Sequence, residues 1–317
     1  MTAGPPTLVV GARGLLGSAV RQSAAARGLR VVAAQVDWSV AENAARDLAR
    51  AVDQVVALAG DGAWSIVWCA GAGVTASTDD VLRAETELMR AFVADLADRP
   101  AERLARCTVF FASSAGGVYA GAADPPFTEL STPAPLAAYG RAKLVAEEVF
   151  SGLAASGVRV VLGRISNLYG PGQNLAKPQG LISQFCLAHH LARPIGIYVS
   201  LDTLRDYIYV DDCAELVLDV VARASSNEPG SAPVTKILAS QTSVTIASII
   251  GMLRAIYKRK PQAVLAASPL GARQARDLRF RSVVWPDLDE RPLTPLPVGI
   301  ATTGEDIGRS LRLHGPA

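Results

Sequence analysis

The chain has 317 residues, of which half are hydrophobic, and its formal net charge at pH 7 is only +2. This length is sufficient for one large domain or two smaller ones with a substantial buried core. The near-neutral charge provides no long-range field that would attract nucleic acid or an anionic membrane, so a small molecule held by local contacts is the expected partner.

The sequence also argues against a membrane or secreted protein, and against a protein built on disulfides or a metal site. No apolar stretch is long enough to span a bilayer, and MTAGPPTLVV lacks the basic segment and long apolar core of a signal peptide, which predicts a cytoplasmic protein. The cysteines have no CxxC spacing and lie in apolar surroundings, so buried free thiols are expected at Cys69, Cys107, Cys186 and Cys213. No metal site is predicted.

Apolar runs of strand length alternate with amphipathic segments of helical length over the first half of the chain. The predicted strands cover residues 7–11, 30–35, 65–71, 107–114 and 158–166. They are rich in Val, Ile and Phe without polar alternation, as are strands buried on both faces of a parallel sheet. The pattern predicts an α/β fold with a Rossmann-like, doubly wound parallel sheet.

The turn GARGLLGS follows the first predicted strand and begins a helix. Its glycines, Gly11, Gly14 and Gly17, allow a tight turn, close approach of the backbone to a pyrophosphate, and close packing of helix against strand. The helix N-terminus, with Leu15 and Leu16, would face the anion. At the first strand-helix junction of an alternating chain, this turn predicts dinucleotide binding.

The adenosine end of such a cofactor has two candidate contacts. An acidic residue at the end of the second strand usually holds the ribose hydroxyls, but that place falls near Gln35, with Asp37 two residues later. Arg13 could bind a 2′-phosphate through its guanidinium, or could be a solvated arginine at a turn. The predicted cofactor is therefore NAD or NADP, with Arg13 favouring NADP.

The motif YGRAK, residues 139–143, begins a helix and follows a strand that ends in serines. The i to i+4 spacing places the Tyr139 hydroxyl and the Lys143 ammonium on one helical face, one turn apart. A nearby cation favours the phenolate, so the tyrosine can act as an acid or base. The motif is common by itself, but its position after the glycine-rich turn makes the combination specific.

After Tyr169 glycine and proline become frequent, and the predicted elements become shorter and irregular. We therefore predict a dinucleotide-binding domain over residues 5–168 and a smaller C-terminal substrate-binding domain over residues 169–204 and 225–312. Residues 205–224 again have the pattern of a strand followed by a helix, and we expect them to return to the first domain.

In order and spacing, the motifs resemble the extended short-chain dehydrogenases/reductases, of the branch that contains NDP-sugar epimerases, dehydratases and reductases. The resemblance covers nearly the whole chain through GARGLLGS, SIVWCAGAG, CTVFFASSAGGVY, YGRAK, RISNLYGPGQN, LRDYIYVDD and PLTPLPVGI. It implies that Tyr139 is the catalytic acid/base and that Lys143 holds the nicotinamide ribose. It also implies cofactor contacts at Ala70 and Gly71, after the third strand.

The resemblance further implies a hydroxyl at the end of the fourth strand that binds the reacting sugar oxygen. Position counts leave Ser114 as the candidate, with Ser113 beside it. Dehydratases of the family carry an acid just before the VY pair, whereas residues 115–117 here are Ala, Gly and Gly. Without a carboxylate to protonate a departing hydroxyl, dehydration of that type would lack its acid.

Two more residues are implied to bind substrate. Asn167 would lie near the sugar and diphosphate, although it could equally cap the turn that follows it. Arg205 would contact the diphosphate, although it could form a surface ion pair with Asp206. Arg273 or Arg276 is a possible helper, with a solvated helix face as the simpler interpretation.

The chain also departs from the family in two places. The segment after the second strand is short, and the helix near Asp80 offers Glu85 and Glu87 where an asparagine is expected. This helix and the YGRAK helix form a four-helix contact in relatives, which implies a homodimer. Its apolar positions could supply one face or could be core: Leu82, Leu88, Phe92 and Leu96.

The function implied by the resemblance is an NAD(P)-dependent nucleotide-sugar epimerase that acts by hydride transfer at a sugar carbon, with a nucleotide sugar as substrate. The alternative is an NADPH-dependent reductase of a nucleotide-linked keto sugar, since the same side chains serve both reactions. A dehydratase and a non-catalytic NAD(P)-sensing regulator are less favoured. Such a regulator would be expected to lose Tyr139 or Lys143, and both are present.

Overall fold

The computed structural model describes residues 4–71, 73, 77–176, 179–259, 262–265 and 275–314. Within these residues the strands are β1 (Thr7–Val10), β2 (Val31–Ala33), β3 (Trp64–Trp68), β4 (Cys107–Ser114), β5 (Arg159–Ile165), β6 (Asn167–Tyr169), β7 (Ile195–Ile197), β8 (Leu204–Tyr209), β9 (Val234–Leu238), β10 (Ser243–Thr245), β11 (Ala263–Leu265) and β12 (Asp277–Leu278). The α-helices are α1 (Leu15–Ala26), α2 (Ala41–Ala59), α3 (Asp79–Ala97), α4 (Ala101–Leu104), α5 (Ala115–Val118), α6 (Ala138–Ser151), α7 (Leu181–His190), α8 (Val210–Ala224), α9 (Ile246–Tyr257) and α10 (Leu296–His314).

The larger sheet is parallel and has the spatial order β2-β1-β3-β4-β5-β9 in the described part of the chain. Every residue of β3 is buried, as expected for a strand with both faces covered. Strand order reverses at β1, which pairs with β2 on one side and β3 on the other. Ligands of such sheets bind beyond the carboxyl ends of the strands at this switch point. The predicted Rossmann-like, doubly wound α/β fold is confirmed.

Helices cover both faces of this sheet. α1 and α8 pack on one face, whereas α2, α3 and α6 pack on the other. The α3 side chains considered for a dimer contact belong to the second of these layers. Leu82, Phe92 and Leu96 are buried inside the protomer, and Leu88 is partly buried against them. These apolar side chains of α3 therefore belong to the core, because α3 uses them to pack on the sheet and on α6.

A smaller mixed sheet forms the second part of the molecule. Its strand β8 pairs with β10 and β12, and β6 also pairs with β8. Apolar side chains of α7, α9 and α10 pack with this sheet around Tyr169, Tyr207 and Ile249. Only one residue separates β5 from β6, so the chain passes from the larger sheet to the smaller one directly at the carboxyl end of β5.

Two strands depart from the predicted domain division. β8 lies in the smaller sheet, and within residues 205–224 α8 packs on the larger sheet, against α1, together with the β8 side chain of Ile208. β9, inside the predicted segment 225–312, pairs in parallel with β5 as the edge strand of the larger sheet. The sequence pattern missed β9 because Lys236 interrupts it. That lysine is fully buried, and its Nζ donates to Ser282 Oγ (2.5 Å) and Asp289 Oδ2 (2.6 Å).

The four cysteines are free thiols in the structure. Cys107, Cys186 and Cys213 are buried, and burial raises the pKa of Cys186 to about 11. No helix of the described ranges has the length and hydropathy needed to cross a membrane. The same ranges contain no group of three or more His, Cys, Asp or Glu side chains that could hold a metal ion.

Candidate active site

The glycine-rich turn lies at the switch point of the larger sheet. Gly11 has a φ of +82°, and the Gly14 N–H donates to the Gly11 carbonyl oxygen at 2.9 Å. A Cβ on Gly17 would overlap that oxygen, and a Cβ on Gly11 would overlap the backbone of Ala70. Glycine is therefore required for α1 to approach β1 and for β1 to approach the loop after β3.

The N-terminus of α1 is free to bind an anion. Gly14 is the N-cap residue, no side chain caps the helix, and its first turn, all of it described, contains no acidic residue. The N–H groups at Leu15, Leu16 and Gly17 therefore keep the partial positive charge of a helix start. A phosphate placed here would satisfy them.

The two predicted ribose contacts, Gln35 and Asp37, both lie at the protein surface. Its carboxylate accepts hydrogen bonds from Ser39 Oγ (2.5 Å), Ser39 N (3.0 Å) and Asn43 Nδ2 (2.9 Å), and these bonds, that from Ser39 Oγ first, lower its pKa. The carboxylate thus also holds the turn that begins α2. Gln35 is exposed, and so is Arg13, which no ion pair or hydrogen bond joins to the described residues.

Tyr139 and Lys143 lie on the first turns of α6, beside the carboxyl end of β4. Lys143 Nζ is 5.8 Å from the centroid of the Tyr139 ring and donates to the Ala112 carbonyl oxygen at 3.3 Å. A Cβ on Gly140 would overlap the backbone of Gly117, so these two glycines let α6 meet α5 closely. The ammonium is therefore held near the aromatic ring by the strand itself.

Gly117 also determines the space around Tyr139. A Cβ at position 117 would lie 3.0 Å from Tyr139 Cε1, closer than ordinary contacts allow. A larger side chain here would displace the ring. The glycine that removes the dehydratase-type acid therefore also leaves room for the tyrosine.

The two serines at the end of β4 face different surroundings. Ser113 is buried, and its hydroxyl donates to Glu147 Oε1 at 2.5 Å. Ser114 is half-buried and caps α5, because its Oγ accepts the Gly117 N–H at 3.1 Å. Since side chains alternate along a strand, only one of the two can face the cleft. The Ser113 hydroxyl proton is used by Glu147, whereas the Ser114 hydroxyl only accepts in its bond to Gly117, the residue that contacts the Tyr139 ring.

Alanine substitutions should separate these two hydroxyls. We expect Ser114→Ala to lower kcat/KM by about tenfold to a hundredfold, because a hydrogen bond to a developing charge contributes roughly 1.5–3 kcal/mol. Ser113→Ala should lower the free energy of unfolding by about 1–3 kcal/mol, since Glu147 loses a donor, yet leave turnover per folded molecule nearly unchanged. Kinetics and urea denaturation of both variants test this. A Ser113→Ala variant that is stable but inactive would reverse the assignment.

A buried ion pair lies directly behind these residues. Arg164 on β5 donates to Glu147 on α6 through Nε (3.0 Å) and Nη2 (2.7 Å), and to the Tyr119 hydroxyl at 2.5 Å. Burial alone would lower the pKa of Arg164, but the bonds to Glu147 and its charge raise it. Sequence reasoning missed this network. The available signals were an arginine in an apolar strand and a glutamate one turn after Lys143.

Asn167 and Arg205 lie at the junction with the smaller sheet. Asn167 Nδ2 donates to the Asp206 carbonyl oxygen at 2.7 Å, so its amide links β6 to β8. Arg205 is buried, with 8% of its surface exposed, and its described hydrogen bond goes only to the Leu204 carbonyl oxygen (2.8 Å). Burial lowers the pKa of Arg205. A buried guanidinium with so few acceptors is suited to an anionic ligand.

The surface ion pair considered for Arg205 does not form. Asp206 is fully buried, and its carboxylate instead accepts from Ser240 N and Oγ, both at 2.9 Å. Arg276 pairs at the exposed surface with Asp202. Arg273 lies outside the described residues. The structure therefore brings Arg205, but not Arg276, into a buried position that an anion could use.

Glu85 is a further acidic group in the site, and the sequence left its role open. Its Oε2 accepts the Gly73 N–H at 3.1 Å. A Cβ built on Gly71 would lie 2.8 Å from Glu85 Oε1 and 3.7 Å from Lys143 Nζ, so both charges flank one point of this loop. Glu85, Tyr139 and Lys143 line one cleft between α3 and α6.

Comparison with known proteins finds one matching family model and two relatives that are similar to part of this chain. The family model described as NAD dependent epimerase/dehydratase family matches residues 7–233. A dTDP-4-dehydro-6-deoxyglucose reductase of Escherichia coli is 38% identical over 109 residues, 34% of this chain and 34% of that protein. A dTDP-L-rhamnose 4-epimerase of Burkholderia thailandensis is 29% identical over 120 residues, 36% of this chain and 33% of that protein. The chain thus matches about a third of the length of these two relatives.

The solved structures with a similar fold include that of MoeE5 in complex with UDP-glucuronic acid and NAD. It superposes with a TM-score of 0.78 at 22% sequence identity, over 96% of this chain and 100% of that one. At this identity the likeness concerns the fold. NAD and a nucleotide sugar are bound by that protein.

Proposed function

Because this chain belongs to the NAD dependent epimerase/dehydratase family, as the order of its motifs predicted, we propose that it is a nucleotide-sugar epimerase acting by hydride transfer at a sugar carbon. The observation that carries the proposal is the grouping of Tyr139, Lys143 and Ser114 around Gly117, with no carboxylate at positions 115–117. This set can move one proton and stabilise one oxygen. It lacks the extra acid that removal of water would need.

The chain's own residues account for the proton transfers. The Tyr139 phenolate accepts the proton of the sugar hydroxyl, while the Lys143 ammonium stabilises the phenolate by its charge. The Ser114 hydroxyl donates a hydrogen bond to the same sugar oxygen as it becomes a carbonyl. When bound, a nicotinamide cofactor would accept a hydride from that carbon and return it to the other face of the sugar.

The residues present fit a dinucleotide and a diphosphate. The uncapped N-terminus of α1, which Gly11 and Gly17 allow to pack closely against β1 and the loop after β3, suits a pyrophosphate. We propose that Ala70 and Gly71 border the cofactor and that Lys143 also holds its nicotinamide ribose. Arg205, buried with few acceptors, would bind the diphosphate of the nucleotide sugar.

A reductase acting on a nucleotide-linked keto sugar is the second candidate function. The partial match to a 4-dehydro-sugar reductase and the unpaired, exposed Arg13 favour it. In that reaction Tyr139 would donate a proton to the carbonyl oxygen, and a bound reduced dinucleotide would supply the hydride to the carbonyl carbon and leave in its oxidised form. Neither the solved neighbour nor the family description supports the preference for NADP, so Arg13 alone carries it.

Cofactor stoichiometry tests the proposal. Purified protein would first be denatured to release and identify any bound dinucleotide, and then incubated with UDP- and dTDP-hexoses. We expect interconversion of two epimers with no net oxidation or reduction of dinucleotide. One NAD(P)H oxidised for each keto sugar reduced would select the reductase instead. Failure to bind NAD, NADH, NADP or NADPH would contradict both.

We also propose that the protein is a homodimer, as its resemblance to the family implies. Since Leu82, Phe92 and Leu96 are core residues, the contact would use the outer side chains of α3 and α6. Val81, with 47% of its surface exposed, lies on this outer side of α3. The molar mass in solution, measured by light scattering, decides between monomer and dimer.

A further inference from the structure

Within the described part of the chain the carboxylate of Glu85 has no ion-pair partner, although it lies in a cleft that contains the Lys143 ammonium. On the outer side of α3, Glu87 pairs with Arg90 at 3.7 Å. Glu85 forms no such pair with any described residue, and its recorded hydrogen bond is the one from the Gly73 N–H. It is half-buried and directed at the loop between β3 and α3. A negative charge is thus held inside the candidate site.

The position of this charge relative to the reaction follows from the chemistry. Proton and hydride leave the same C–O unit of the sugar, so the nicotinamide must reach the carbon whose oxygen contacts Tyr139. A Cβ on Gly73 would lie 2.9 Å from Glu85 Oε2 and 3.8 Å from Tyr139 Cδ2. The Glu85 carboxylate and the Tyr139 ring therefore border the same point of this loop, so a nicotinamide that reaches that carbon would lie near both. This step rests on the proposed function.

We propose that Glu85 is a specificity-determining residue that makes the site prefer the oxidised dinucleotide over the reduced one. The nicotinamide ring carries a positive charge when oxidised and none when reduced. The Lys143 ammonium, required for the tyrosine, disfavours a second cation nearby, whereas the Glu85 carboxylate offsets that repulsion. The Lys143 charge also acts on the Cys69 thiol, but burial raises the pKa of that thiol to about 12, so it contributes no charge near neutral pH.

The experiment compares the affinities of the two redox forms. Protein would be dialysed to equilibrium against an equimolar mixture of NAD⁺ and NADH, or of NADP⁺ and NADPH if that pair is the one bound. We expect Glu85→Gln to lower the bound ratio of oxidised to reduced form by about threefold to tenfold. This is the effect expected when one charge is removed near the nicotinamide ring in a half-buried site. The amide oxygen of glutamine can still accept the Gly73 N–H.

Matched variants distinguish charge from structure. Glu87→Gln removes a carboxylate from the exposed side of the same helix and should leave the ratio unchanged. Glu85→Asp keeps the charge and should retain the preference. If Glu85→Gln fails to fold, Glu85→Ser removes the charge with a smaller side chain, and the same ratio is measured.

The outcomes separate this inference from the proposed function. An unchanged ratio in the neutral variants, including equal weakening of both forms, would overturn the role of Glu85 while leaving dinucleotide binding intact. A wild-type protein that binds none of the four dinucleotides would instead overturn the proposed function on which the inference rests.

Discussion

Tyr139→Phe is expected to lower the rate of hydride transfer by about a hundredfold to ten thousandfold, the usual contribution of a general acid or base. The variant should still fold, because the Tyr139 hydroxyl makes no hydrogen bond to the described residues and its removal leaves none of them unpaired. The ring keeps its contacts with Gly117 and Lys143. Single-turnover kinetics with saturating substrate would measure the loss.

Two further measurements make this result specific. Dinucleotide affinity should fall by at most about tenfold, the effect of one neutral hydrogen bond. Tyr257→Phe, a matched change in the smaller domain where the ring stacks on His189, should retain full activity. A Tyr139→Phe protein with unchanged turnover would eliminate the acid/base role. It would also favour the alternative hypothesis that the chain is a non-catalytic NAD(P)-sensing regulator.

Glu147→Gln is expected to lower the free energy of unfolding by about 3–5 kcal/mol, because it leaves the buried Arg164 guanidinium without its counter-ion. The side chains of this pair are only 8% and 6% exposed, so water cannot replace the lost charge. The same substitution weakens the acceptor for the Ser113 hydroxyl. Urea denaturation followed by circular dichroism would measure the change.

An exposed ion pair supplies the control for this prediction. Asp80 and Arg83 on α3 are 2.7 Å apart, with side chains 82% and 73% exposed, and Asp80→Asn should cost less than about 1 kcal/mol. Replacing both buried partners, Glu147→Leu with Arg164→Met, should recover much of the loss, because the desolvation cost is removed with the charges. A Glu147→Gln variant as stable as Asp80→Asn would show that the network contributes little.

The two effects are linked through α6. This helix carries Tyr139 and Lys143 on its first turns and Glu147 one turn later, and Glu147 joins it to β4 through Ser113 and to β5 through Arg164. The network therefore holds the catalytic helix against the strand that carries Ser114. We expect destabilised Glu147 variants that remain folded to lose activity as well.

The larger sheet was predictable from local pattern, because buried parallel strands are continuous apolar runs. β4 spans the predicted residues 107–114, and the glycine-rich turn lies at the predicted strand-helix junction. β9 was not predictable in this way. Its central Lys236 is neutralised by Asp289, a residue more than fifty positions away, and only the folded chain brings that partner to it.

The candidate site likewise has features that the sequence predicts and features that only the folded chain determines. The sequence by itself determined the residue types and spacings: the glycines, the Tyr139 to Lys143 pair, the adjacent serines and the missing carboxylate. Only the tertiary structure decided that Ser113 faces Glu147 and Arg164, that Asp37 is used by its own turn, and that Glu85 faces Lys143 across a cleft. Spacing along a strand or helix is local, whereas the partner of a buried charge or hydroxyl comes from distant elements that packing alone brings together.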